Sequence, residues 1–117
     1  MLRLFRAVIN SCRGFHAAVR SEEAFRQELV VLAVAVPAAF LIAQESWKRL
    51  ALIGSLLLLL VIELLNTAIE KLADRVSREN DIHIGKIKDM SSAAVGLTIL
   101  LAALVWFLAF AEWLELI

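Results

Sequence analysis

Proline and glycine are scarce, one of the first and four of the second in 117 residues. With no repeated segment either, the chain offers no linker at which to divide, and its length predicts a single domain. A lone cysteine, Cys12, excludes an internal disulfide and reads as an ordinary reduced thiol among arginines. Neither sign of charge is in excess, since 12 Lys and Arg balance 12 Asp and Glu. That balance argues against nucleic acid as a partner, so the basic residues have to be read by position. A cleavable leader is not expected. The first long apolar run begins only at Leu29 and ends Leu41-Ile42-Ala43, a poor cleavage site.

What the chain has in abundance is apolar surface. Hydrophobic residues make up 62% of it and the mean hydropathy is +0.82, against about 45–50% apolar residues in a soluble domain. Apolar runs cover Leu29 to Ala43, Leu50 to Ile62 and Ala93 to Ala111. A helix needs about 20 residues to cross a hydrocarbon core. The third run nearly suffices alone, and the first does so with Gln44 and Glu45 in the headgroups. The second must extend past Glu63, which brings a carboxylate near membrane depth. These lengths predict spans at about 29–47, 49–70 and 91–113, the first kinked at Pro37.

Orientation follows from Lys and Arg. Arg3, Arg6, Arg13, Arg20 and Arg26 precede the first span, and Lys71, Arg75, Arg78, Lys86 and Lys88 separate the second from the third. The first connection holds only Lys48 and Arg49, and the C-terminal end holds none. The bias predicts that the N-terminus and the second connection lie in the cytoplasm and the C-terminus on the far side of the membrane. Trp47 and Trp113 suit the far interface. Residues 2–20 read as an amphipathic surface helix, with Leu4, Phe5, Val8, Ile9, Cys12, Phe15 and Val19 on one face. Arg3, Arg6, Asn10 and Arg13 lie opposite, a pattern suited to anionic lipid or to a partner protein. The fold class is therefore an all-α membrane protein, one surface helix plus three spans.

Three polar segments carry the chemistry. In the first, Glu63, Asn66, Glu70 and Asp74 fall within about 80° of arc on an otherwise apolar helix. Ionisable groups in a span are costly and tend to mark a functional path. Glu63 and Glu70 stand about 10 Å apart along the axis. They cannot easily share one metal, but one could hold it while the other acts on a substrate. The plainer alternative is cytosolic pairing of Glu70 and Asp74 with Arg78 or Lys71. The second segment is Ser21-Glu22-Glu23-Ala24-Phe25-Arg26-Gln27-Glu28, where Ser21 could cap a helix whose first turn favours Glu22 and Glu23. The third, Lys86 to Ser92, offers Asp89 and Ser91 as caps for the last span and Lys88 as an interfacial cation. All three lie on the cytoplasmic side of the predicted topology and can converge there.

Taken together, Glu63-Leu-Leu-Asn66-Thr-Ala-Ile-Glu70, Asp74-Arg75, Lys88-Asp89-Met90-Ser-Ser92-Ala-Ala-Val95 and Ala24-Phe25-Arg26-Gln27-Glu28 resemble the prokaryotic diacylglycerol kinase family over essentially the whole chain. The resemblance implies ATP-dependent phosphorylation of diacylglycerol to phosphatidate by a homotrimer whose active sites form between subunits. By the same resemblance, Glu63 is the general base and Asn66 supports it. Glu22 and Glu70 bind the Mg²⁺ carried by ATP, and Arg3, Glu79, Lys88 and Asp89 contact the nucleotide. Ala24, Phe25, Arg26, Gln27, Glu28, Ser92 and Trp106 line the lipid site. Asn10 departs from the family pattern and is kept as a nucleotide contact because it shares a face with Arg3. Ser91 stands where a glycine is expected and Ala73 where a β-branched residue is, changes that bear on packing and substrate preference. The chain has no Gly-x-x-x-x-Gly-Lys-Ser/Thr loop and no protein-kinase signature. Phosphoryl transfer here would rest instead on carboxylates, cations and an interfacial glutamate. The competing expectations are an undecaprenol kinase of the same mechanism and a non-enzymatic membrane assembly protein that uses its polar stripe as glue.

Overall fold

The computed structural model describes residues 1–77 and 81–117. Arg78 and Glu79 therefore lie outside the described residues. The described chain forms four helices, α1 (Leu2–Ser21), α2 (Glu23–Ile42), α3 (Ser46–Val76) and α4 (Ile82–Trp113). Of these, α2, α3 and α4 are long and apolar enough to cross a membrane.

The helix breaks lie where local hydrogen bonding puts them, and two differ from expectation. Ser21 does not cap α2. It is the last residue of α1, its hydroxyl donates to the Ala17 carbonyl at 2.8 Å, and extended Glu22 precedes α2 without a side-chain cap. The end of α1 is held from the next helix. Arg26 Nη1 donates to the carbonyls of Val19 and Arg20 at 2.8 and 3.1 Å, satisfying acceptors that the helix leaves open. Replacing Arg26 by Ala is expected to speed amide exchange over Ala17–Ser21 about fivefold, as about 1 kcal/mol of lost capping would. Hydrogen-exchange mass spectrometry reads this directly.

The second difference is at α4. Asp89 and Ser91 do not cap it, because Asp81 starts the helix earlier, accepting from His83 N at 2.8 Å and Ile84 N at 3.2 Å. The residues from Ile82 onward are thus already helical, and they carry Lys88 alongside the end of α3. Between α2 and α3 the chain turns at residues 43–45, inside the stretch expected as one span. Arg49 holds that turn by donating from Nε to the Ala43 carbonyl at 2.8 Å, with its guanidinium over the Phe40 ring. Helix α2 runs on through Pro37 to Ile42.

Packing centres on α3, most extensively against α4 and next against α2. One buried cluster joins Ala18, Phe25 and Leu60 from α1, α2 and α3, with the Phe15 ring edge-on to Phe25 at 5.2 Å. The other joins Ala39, Ala43 and Leu52 with Trp106 and Ala109 of α4. At that end Lys48 pairs with Glu112 and with Glu45. Within the most apolar windows of α2, α3 and α4, only 17%, 22% and 11% of residues are buried. The remaining apolar surface points outward, as lipid or a neighbouring subunit requires.

Candidate active site

Polar residues of α3 begin where its apolar run ends. Asn66 is buried there, Glu63 and Glu70 are half-buried, and Asp74 is exposed one turn further on. The three polar segments meet at this end. Lys71 of α3 contacts the α1–α2 junction, reaching Ser21 Oγ at 3.2 Å and Glu22 Oε1 at 3.7 Å. Lys88 of α4 pairs with Asp74. Lys71 and Asp74 thus join α3 to other helices, where the plainer alternative paired them within α3.

Four carboxylates are electrostatically coupled. Glu63 lies within Coulombic reach of Glu22 and Glu70, and Glu28 within reach of Glu63. Lys71 is the cation paired into this group among the described residues. The local balance is strongly negative in a medium that screens poorly, so the group attracts a cation. Glu28 Oε2 is buried and has no hydrogen-bond partner among the described residues, which leaves it free to accept from an incoming hydroxyl.

Behind these carboxylates runs a buried relay. The Ser91 hydroxyl donates to Asn66 Oδ1 at 2.7 Å, and Asn66 Nδ2 donates to Glu70 Oε1 at 3.3 Å. A groove of about 600 Å³ lies between α2, α3 and α4. Val30, Leu59, Ala38 and Trp106 are among its linings, all apolar apart from the indole N–H, which is engaged with the Leu52 carbonyl at 3.0 Å. Val30 follows Glu28 by two residues and Leu59 precedes Glu63 by about one turn. The groove runs from Val30 and Leu59 toward Trp106, with Leu59 one helical turn before Glu63 on α3.

This arrangement can be compared with known proteins. The sequence model of the family described as prokaryotic diacylglycerol kinase matches residues 9–110. The chain belongs to that family. Among its curated relatives, the diacylglycerol kinase of Escherichia coli K12 is 39% identical over 104 residues, covering 89% of this chain and 85% of the relative. The diacylglycerol kinase of Pseudomonas aeruginosa is 40% identical with the same coverage. That of Helicobacter pylori 26695 is 34% identical, covering 89% and 81%. As a member of the prokaryotic diacylglycerol kinases the chain is an enzyme, a kinase, and the non-enzymatic alternative gives way.

The site residues inferred for the family fall into distinct places. Glu22, Glu28, Glu63, Asn66 and Glu70 come together. Trp106 lines the groove. Phe25 is buried in the helix-packing cluster and Arg26 is bonded to the end of α1, so both shape the junction that carries Glu22. Ala24, Gln27, Asp89 and Ser92 are exposed beside this region on their own helices. Arg3 and Asn10 are exposed on α1. Arg3 also precedes the matched region.

Sequence reasoning placed Ser91 among packing changes and missed its bond to Asn66. A signal existed: Ser91, Thr98 and Ala102 recur at helical spacing and form the buried face of α4. The donors present suit Mg²⁺, a hard cation that takes one or two carboxylates and completes its shell with phosphate and water. Glu22 stands at the α1–α2 junction and Glu70 on α3, and each keeps a carboxylate oxygen outside the bonds described above. Among the described residues no three acidic, His or Cys side chains form a closed metal site.

Proposed function

We propose that this enzyme transfers the γ-phosphoryl group of ATP to the hydroxyl of diacylglycerol, giving phosphatidate and ADP at the cytoplasmic face of the bacterial inner membrane. The observation that carries this reading is the position of Glu63, coupled to other carboxylates and one helical turn from Leu59 of an apolar groove, in a member of this family. The named relatives are diacylglycerol kinases, which supports diacylglycerol as substrate here.

In this mechanism the acyl chains of the lipid lie along the groove toward Trp106 and its glycerol end meets Glu28 and Glu63. Glu63 accepts the hydroxyl proton as the lipid oxygen forms its bond to the γ-phosphorus, and the bond from that phosphorus to the bridging oxygen of ADP breaks. Mg²⁺ carried with ATP would neutralise phosphate charge. Glu22 and Glu70 would hold that ion, and Asn66 orients Glu70. Lys88 and Asp89 approach the nucleotide from α4, with Lys88 sharing its charge between Asp74 and phosphate. Arg3, Asn10 and Glu79 complete the nucleotide contacts, Arg3 and Asn10 from the α1 of a neighbouring subunit. The outward apolar faces of the helices leave room for neighbouring subunits, and the resemblance to the family implies a homotrimer with shared sites. The Lys and Arg bias supports a cytoplasmic N-terminus, a periplasmic C-terminus and a surface position for α1.

The test is phosphate transfer from ATP by the purified protein in mixed micelles with Mg²⁺, offering diacylglycerol and undecaprenol separately. A strong preference for diacylglycerol is expected. Preference for undecaprenol would keep the mechanism and replace the substrate, and transfer to neither by folded protein would overturn the reading.

A further inference from the structure

We propose that Ser91 is a positioning residue of the phosphoryl-transfer site, fixing the Asn66 amide so that its NH₂ faces Glu70. The inference rests on the reading of Glu70 as a ligand of the metal carried by ATP. Ionised, Glu70 can only accept hydrogen bonds, so Asn66 must present Nδ2 to it, as it does at 3.3 Å. That choice turns Oδ1 the other way, toward α4, where it needs a donor. Ser91 supplies one at 2.7 Å.

Both side chains are buried, with residue exposures of 9% for Asn66 and 8% for Ser91. Bulk water therefore cannot stand in for the hydroxyl. Without that donor the amide has two poor choices. It can keep its orientation with Oδ1 unsatisfied, or it can rotate and set an oxygen against the Glu70 carboxylate. Either weakens the hold on Glu70, whose free oxygen is the one available to metal. The direction of the relay matters. Ser91 touches neither substrate nor phosphate in this arrangement and acts through Asn66, as groups behind a metal ligand commonly do.

A serine at this position also ties the chemistry to helix packing. Ser91 lies on the face of α4 that packs on α3. A shift of α4 along α3 would break the 2.7 Å bond and release the amide. Lys88, about one turn earlier on α4 and paired with Asp74, would move with it. The nucleotide-side cation and the metal-side carboxylate are thereby set by the same helix contact.

The experiment compares Ser91→Ala and Ser91→Thr with the unmodified protein in micelles. Mg²⁺ dependence is read from activity, and Mn²⁺ affinity by electron paramagnetic resonance with a non-hydrolysable ATP analogue. Ser91→Ala is expected to raise both half-saturation values about tenfold, leaving the KM for diacylglycerol unchanged. Ser91→Thr, which keeps a hydroxyl, is expected to restore most of the affinity. In an Asn66→Ala background, Ser91→Ala is expected to change Mn²⁺ affinity no further. That double mutant keeps the test valid should the threonine methyl perturb packing. A lowered thermal midpoint with unchanged Mn²⁺ affinity would overturn the proposal, leaving Ser91 a packing residue. Glu70→Gln in the same assay separates the two failures. If it weakens Mn²⁺ binding and Ser91→Ala does not, only the role of Ser91 falls. If Glu70→Gln has no effect, the metal reading falls and takes this proposal with it.

Discussion

Glu63→Gln is expected to lower kcat about a thousandfold, the scale on which a positioned general base contributes, while the protein stays folded. The substitution keeps the shape of the side chain and removes its capacity to accept a proton from the lipid hydroxyl. Its effect on stability should run the other way from its effect on rate. Glu63 sits within reach of Glu22, Glu28 and Glu70, with Lys71 paired to one of these. Removing one negative charge from such a group relieves like-charge repulsion. The thermal midpoint in micelles should therefore hold or rise. Single-turnover phosphate transfer and a melting curve on the same preparation check both halves. A variant with near-normal turnover would remove Glu63 as the base. An inactive variant that also melts early would mean the residue serves the fold, so the two measurements have to be read together.

The trade between stability and chemistry explains which parts of this site were legible in the sequence. Glu63 stood out because a carboxylate after a long apolar run is expensive, and expense in a span points to use. Asn66, Glu70 and Asp74 followed from helical spacing alone, which put them on one stripe. Their partners did not follow. Asp74 was assigned no cross-helix contact, yet Lys88 of α4 pairs with it, and Lys71 turns to Glu22. A periodic reading finds the face of a helix and cannot say which residue of another helix meets it, because register between helices is set by packing of small residues such as Ala39 and Ala102. The helix ends failed for a related reason. Ser21, Asp89 and Ser91 are all residues that cap helices, but capping needs a chain already leaving helical geometry. Ser21 spends its hydroxyl on Ala17, Ser91 on Asn66, and Asp81 takes the cap that Asp89 was expected to make. Arg26 shows the converse. Its match to the lipid-site pattern hid a local role, holding the last turn of α1 in place.

Glu70→Gln is expected to raise the Mg²⁺ concentration needed for half-maximal activity about a hundredfold, with a smaller change in the rate at saturating metal. Glutamine preserves an oxygen able to accept from Asn66 Nδ2, so the bond seen at 3.3 Å can persist and the helix contact behind it is kept. What is lost is a formal negative charge, and an amide oxygen is a weaker ligand for a hard cation. Excess Mg²⁺ should therefore rescue the variant. The same titration of Glu63→Gln should show no rescue, since a missing base cannot be replaced by more metal. This difference assigns the two carboxylates of α3 separate duties, as their separation of about 10 Å along the helix requires. If Glu70→Gln keeps an unchanged Mg²⁺ titration, the charge at that position is not spent on metal. The relay from Ser91 through Asn66 would then serve only to pack α4 on α3.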